Sequence, residues 1–355
     1  MPSIKIFKVF GISIELDITF LIFLFLVFFD SQFFGFLIIV FTIVLIHELF
    51  HSLVALYYKI PVPKITLTPI GGLASIEVPE DPKKEFLVSI AGPFSNILFF
   101  ILIFLGAHAI GVPLKPLSWY FGGGGIDLLD PPSLLSGLLW LNFVLGVFNL
   151  LPGYPMDGGR VFRAILASRM DYIKATQIAV NVGKVIAVLI SIWGLYIGNI
   201  LTVIIGIFLF FAGGQELQIL KIRHALSGLS LKEVAIPTYK YASESMPIRE
   251  FVQTVAVPEQ RHYPVTDATG KVIGLFNVED LKTVGLADEG RPMRDYARGN
   301  LDVIDAGAKI VDVLSFLLSR DFVLVIDAGR IIGYITPGHL LDVARYQSIR
   351  RTAGT

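Results

Sequence analysis

Long apolar runs, broken by short polar ones, occupy residues 1–220, and an ordinary mixture of apolar and polar positions returns after residue 225. Ile4–Leu16 alternates and carries Lys5, Lys8 and Glu15, which predicts a short strand at a membrane surface. Ile18–Phe29 is strongly apolar but short of the roughly 20 residues a spanning helix needs, so it must borrow from its flanks or lie tilted. Phe33–Tyr57, Phe86–Val112, Leu134–Leu151, Ile173–Ile197 and Ile200–Ile219 are long enough to span, the last two separated only by Gly198 and Asn199. Residues 59–86 hold four lysines, several prolines and "KITLTPIGGLASIEV", strand-like material with a Gly71-Gly72 turn and too polar to span. Residues 113–132 form a Gly- and Pro-rich loop. The pattern predicts a polytopic α-helical membrane protein with six transmembrane helices and short membrane-associated β segments.

Beyond Lys221 the pattern repeats. Two stretches of about 60 residues each read strand, helix, strand, strand, helix, and setting Gly274 on Gly333 brings "GLFNVEDL" onto "GYITPGHLL". The expected organisation is a membrane domain at 1–222, a linker at 223–230 and a soluble α/β domain at 231–355.

The 355 residues are 54% hydrophobic and 16% charged, against roughly 25% charged in soluble domains, and the deficit lies in the first 220 residues. Net charge is zero, which gives no electrostatic case for nucleic acid. The positions of the charges are more telling. With six spans, the lysines and arginines of the loops, from Lys5 and Lys8 to Lys221 and Arg223, collect on one side, and Lys115 stands alone on the other. The positive-inside rule then puts both termini and the soluble domain in the cytoplasm of a multi-pass cell-membrane protein. There are no cysteines, so any metal must be held by His, Asp or Glu. The first apolar stretch lacks a small-residue cleavage site and reads as a retained anchor.

Candidate chemistry sits inside the second span. "LIHELFHSL" at Leu45–Leu53 places two histidines, a glutamate and a serine among apolar residues. His47 and His51 are one helical turn apart on one face, and Glu48 is turned by about 100° from His47. This H-E-x-x-H spacing lets both imidazoles reach one zinc ion while the carboxylate serves as general base. Ionisable groups at membrane depth cost about 2.5–3.5 kcal/mol each on insertion scales, so they mark a functional site. A catalytic zinc needs a third protein ligand. His108 falls toward the opposite face and His224, His262 and His339 lie in the soluble half, which leaves acids near the cytoplasmic edge, among which Asp157 in "PMDGG" stands out.

"HELFH", "AGPFSN" at Ala91–Asn96 and "NLLPGYPMDGG" at Asn149–Gly159 together resemble the site-2 protease family of intramembrane zinc metalloproteases, and the repeat resembles paired CBS (cystathionine-β-synthase) motifs, as in one subgroup of that family. The resemblance implies one Zn2+ per chain held by His47, His51 and Asp157, with Glu48 activating the attacking water. It implies regulated intramembrane proteolysis of membrane-anchored protein substrates. Asn149 matches a family asparagine that positions substrate or stabilises the oxyanion; the alternative is an amide satisfying carbonyls freed near Pro152. Asn96 reads as packing the third span against the catalytic helix. Ile65–Val78, with Gly71 and Gly72, is a candidate for pairing with an unwound substrate, or else a surface hairpin that fixes the second span.

In paired CBS motifs a Gly-h-h-Thr/Ser-x-x-Asp run faces an adenine nucleotide. Here the first copy supplies Gly274 and Asp280 but Asn277 for the hydroxyl, and the second supplies Gly333 and Thr336 but His339 for the acid. Asp280 and Thr336 are therefore the candidate nucleotide contacts; the alternatives are a homodimerisation or substrate-docking module. A metal or ion transporter would also explain buried His and Asp, though not Glu48 at this spacing. Serine and aspartyl intramembrane proteases are disfavoured, since no G-x-S-G occurs and "GGGGID" at Gly122–Asp127 is not G-x-G-D.

Overall fold

The computed structural model describes the chain except residues 1–2, 30, 70, 75, 77, 122–124, 238–239, 259, 284–288, 298–301, 329 and 354–355. Part of the Gly122–Asp127 loop and of the 65–78 segment lies outside the described residues. Contacts divide the chain into two units, 1–218 and 219–355.

In the first unit, five helices are long and apolar enough to cross a membrane: α2, of which Phe33–Tyr57 is the apolar part, α3 (Pro82–Ala109), α5 (Pro131–Asn149), α7 (Tyr172–Tyr196) and α8 (Ile200–Leu226). The full α2 runs Ser31–Tyr57 and α1 is Ile18–Val27. The first of the six expected spans is the short one, as its length in sequence implied: α1 has ten residues, about 15 Å of helix against a hydrocarbon core of roughly 30 Å. Its flank makes up the length, but as a strand. Ile12–Asp17 (β2) has period-two alternation, and it clusters with Ala55 and Ile60 at the far end of α2, while Phe20 meets Phe41 at 4.2 Å and Phe28 meets Phe34 at 5.4 Å between ring centroids. Strand and short helix together therefore run antiparallel to α2 along most of its length. Asp17 makes the switch by capping α1, its carboxylate accepting from the Thr19 amide at 2.8 Å.

A strand at that depth needs both edges paired. β1 (Ser3–Val9) pairs antiparallel on one side of β2, β3 (Lys64–Thr68) pairs parallel on the other, and β4 (Gly71–Ala74) pairs antiparallel with β3, giving the order β1-β2-β3-β4. Ile12, Ile14, Ile65 and Leu67 are buried on one face. The opposite face is polar, where Glu15 accepts from Ser3 at 2.5 Å and from Lys64 at 2.9 Å. Because β3 is paired on both sides, the edge nearest α2 that is unpaired among the described residues belongs to β4, so the segment read from sequence as available at Ile65 is available only from Gly71 on.

Two short helices complete the unit, α4 (Leu117–Phe121) and α6 (Asp157–Ala167). The second was not foreseen; it is strongly amphipathic and too short to span. It is tied down by charge: Arg163, 5% exposed, donates through Nε (2.7 Å) and Nη2 to Glu85 of α3, which is 1% exposed and also accepts from Tyr172 of α7 at 2.9 Å.

The second unit takes in the end of α8, which continues as helix through residues 223–226 of the expected linker. After α9 (Leu231–Val234) and β5 (Ile236–Pro237) come the two copies. The first is β6 (Ala242–Ser243), α10 (Ile248–Thr254), β7 (His262–Thr266), β8 (Val272–Asn277) and a 3-10 helix at Val278–Thr283; the second is β9 (Val303–Asp305), α11 (Ile310–Leu318), β10 (Val323–Asp327), β11 (Arg330–Ile335) and α12 (Pro337–Ala353). Each copy pairs its first strand parallel to its second and its second antiparallel to its third. Each has its own core, around Phe251, Tyr263 and Phe276 in one and Ile310, Leu314 and Val325 in the other; Leu275, Leu324 and Tyr334 join them.

Candidate metal centre

α2 sets His47 and His51 one turn apart, both turned inward, 4% and 6% exposed. α3 crosses behind them. Its Asn96 meets Nδ1 of His47 at 2.5 Å, and the backbone carbonyl of Val88 meets Nδ1 of His51 at 2.6 Å. Asn96 donates its amide N–H to Oδ1 of Asn142 at 3.1 Å, which leaves its own oxygen to accept. Both histidines thus carry their proton on Nδ1 and turn an Nε2 lone pair to the same point. Asp157, the first residue of α6, brings a carboxylate there. Its Oδ2 is 3.0 Å from Nε2 of His47 and 3.2 Å from Nε2 of His51, and the two Nε2 atoms are 3.1 Å apart.

Three acceptor atoms facing one another inside the protein ask for a cation. Ligands about 2.0–2.1 Å from a tetrahedral zinc ion lie about 3.3 Å from each other, close to the 3.0–3.2 Å found here. These three residues form the one His/Asp/Glu group among the described residues with that geometry. Gly92 of α3 makes the room: a Cβ there would lie 2.6 Å from Nε2 of His47 and closer still to Nε2 of His51.

Glu48 stands beside the three donors. It lines a cavity of about 420 Å³ with His47, His51, Asp157, Gly71, Gly72, Asn149 and Arg160, closed on its apolar side by Val44, Leu145 and Phe148. β4 approaches α2 so closely that a Cβ on Gly72 would lie 2.6 Å from Cγ of Glu48. Gly72 is thus a close-approach position on strand β4 and not simply part of a turn, whereas Gly71, at φ +141°, has open space around its Cβ position. Asn149 ends α5 and faces this cavity; its amide makes no hydrogen bond among the described residues, so the alternative in which it satisfies freed carbonyls has no counterpart here.

The sequence reading brought seven residues to this site, and the fold gathers all seven. Asp280 and Thr336 lie in the other unit, just after the last strand of their respective copies. Asn96, read as packing the third span against the catalytic helix, makes that contact through His47 itself, which was not foreseen; the Val88 carbonyl and Arg160 were missed. Asn96 carried a signal, since a buried amide on a span needs a partner, but nothing in the sequence pairs it with a residue 49 positions away.

Peptidase family M50 matches residues 35–120 and 127–190, and a CBS domain matches residues 231–286. A zinc metalloprotease of Methanocaldococcus jannaschii is 34% identical over 354 residues, 98% of this chain and 96% of its own length. The stage IV sporulation protein FB of Bacillus subtilis is 26% identical over 44% of this chain and 48% of its own. The solved site-2 protease of Methanocaldococcus jannaschii is 37% identical, covering 61% of this chain and 95% of its own, with a TM-score of 0.46. An H-E-x-x-H helix whose histidines close on an aspartate, in a multi-pass membrane protein that shares one third of its residues with a zinc metalloprotease along nearly its whole length, belongs to peptidase family M50, the site-2 proteases, and is a zinc metalloprotease.

Proposed function

We propose that this chain hydrolyses peptide bonds within or next to the transmembrane segments of membrane-anchored proteins, with His47, His51 and Asp157 as its zinc ligands and Glu48 as its general base. The observation that carries the reading is a single cavity, walled by helices long enough to span a membrane, that holds three convergent donors and a fourth, separate carboxylate. When bound, zinc supplies Lewis-acid polarisation and makes water reactive near neutral pH. Glu48 accepts the proton of the attacking water and returns it to the leaving nitrogen. The amide of Asn149, free and facing the cavity, donates to the substrate backbone.

A helical substrate hides its peptide groups and must unwind before it can be cut. The free edge of β4 borders the cavity through Gly71 and Gly72, and an extended substrate pairing with it would replace the lost helical hydrogen bonds. Cytoplasmic placement of the termini follows from the charges. Lys5, Lys8 and Lys64 sit on the sheet beside the His51 end of α2, and Lys221 and Arg223 lie in the C-terminal turns of α8.

We also propose an adenine nucleotide as ligand of the CBS pair. The CBS match and Asp280 support it. Thr336 supports it less: its hydroxyl accepts from the His339 amide at 3.3 Å as the cap of α12, and His339, at the position of the expected acid, bonds the Val234 carbonyl at 2.9 Å. A cavity of about 680 Å³ in this unit is lined by Tyr241, Thr266, Lys271 and Arg330 among others, and by neither Asp280 nor Thr336.

The proteolytic reading is tested with zinc content and cleavage of transmembrane peptides in detergent, for the wild type and Glu48→Gln. About one zinc per chain in both, with turnover reduced at least about 100-fold in the variant, is expected for loss of a general base. A folded wild type without zinc, or a Glu48→Gln protein that cleaves normally, would sink it.

A further inference from the structure

We infer that Arg160 is a further catalytic residue of this site, its guanidinium donating to the substrate carbonyl oxygen as negative charge builds there. The inference rests on the proteolytic reading above. Two arginines one turn apart on α6 are accommodated in opposite ways. Arg163 is saturated: it donates to Glu85, reaches Glu216 at 3.4 Å, and lies 5.0 and 4.7 Å from the ring centres of Tyr154 and Tyr172. Arg160 makes no hydrogen bond or ion pair among the described residues, and it borders the cavity that holds Glu48 and Asn149. Asp157 and Glu216 act on it only at longer range, and Asp157 is already turned to the two histidines.

A half-buried guanidinium carries five N–H donors, and leaving them without acceptors in a cleft is costly unless a ligand supplies the acceptors. Helix geometry puts Arg160 one turn beyond Asp157, about 4.5 Å along the axis, so its donors and the convergent ligands serve the same small volume. The chemistry needs a donor there. Water oxygen bonds to the carbonyl carbon, and the C=O π pair moves onto oxygen. The carbon–nitrogen bond then breaks while the proton held by Glu48 passes to the leaving nitrogen. Charge on that oxygen exists only between these events, so a fixed donor aimed at it acts on the transition state more than on the bound substrate. Arginine suits this post because it stays protonated and presents a planar fork to an oxygen.

The test uses the full chain in detergent: zinc content, kcat and KM for a transmembrane peptide, and affinity for a phosphinate peptide that mimics the tetrahedral species, in Arg160→Gln and Arg160→Lys beside Glu48→Gln. The expected result for Arg160→Gln is retained zinc, KM within about threefold, kcat lower by roughly 10²–10³-fold, and a parallel loss of phosphinate affinity, with Arg160→Lys recovering part of each. Unchanged kcat, a rise in KM alone, or loss of zinc would each overturn the inference while Glu48→Gln, still inactive, leaves the proteolytic reading standing. A zinc-loaded wild type that cleaves none of a panel of transmembrane peptides would overturn both.

Discussion

Gly92→Ala is the smallest change that bears on how the metal centre is built. The added methyl would start 2.6 Å from Nε2 of His47, and ordinary contact begins at 3.4 Å, so His47 must retreat by about 0.8 Å and His51 by more. α3 cannot retreat instead, since it packs along both α2 and α5 and carries the Asn96 and Val88 groups that fix the rings. Functional constellations tolerate displacements of about 0.5 Å, and misplacement by about 1 Å costs on the order of 100-fold. Zinc affinity should therefore fall at least about 100-fold, with cleavage lost in step and helical content unchanged. Gly106→Ala, on the same helix with open space around its Cβ, is the control and should keep both. Purified proteins would be titrated against a chromophoric zinc chelator and followed by circular dichroism. A Gly92→Ala protein that holds zinc as tightly as Gly106→Ala would refute the convergence of the three donors on the Gly92 surface.

Two further outcomes follow from the same contacts. Asn96→Ala removes the acceptor of His47 Nδ1–H and should weaken zinc about 10–100-fold in the chelator titration while leaving the fold intact. Arg163→Leu strands the buried Glu85 carboxylate and should cost roughly 3–5 kcal/mol in denaturant unfolding, whereas Glu85→Leu combined with Arg163→Leu should cost clearly less, because the double change leaves no unpaired charge.

What could be read from the sequence were features that follow from local spacing. His47 and His51 share a helix face whatever surrounds them, and the 60-residue repeat reappears as two copies with the same strand order. Asp157 was reachable because few polar residues compete at membrane depth. Long-range features were not legible. The parallel pairing of β2 with β3 joins residues 51 positions apart across an intervening span, so the expected strand at Ile4–Leu16 could be read from its alternation but its partner could not. Arg163 read as one more loop cation, since the partner that buries it, Glu85, is 78 residues away. Arg160 and Arg163 look alike in sequence, and only the fold separates the saturated one from the open one.

The two CBS copies share one further feature. Asn277 accepts from the Glu279 amide at 3.0 Å and Thr336 from the His339 amide at 3.3 Å, each at the start of the helical segment that follows its last strand. To a helix end, a carboxamide and a hydroxyl are nearly interchangeable; to a phosphate they are not. The position can therefore drift between Asn, Ser, Thr and Asp with little cost to folding while ligand recognition comes and goes. A duplicated domain whose conspicuous polar positions serve as structural caps can exchange the side chain in one copy without first becoming unstable, which leaves its two halves free to diverge.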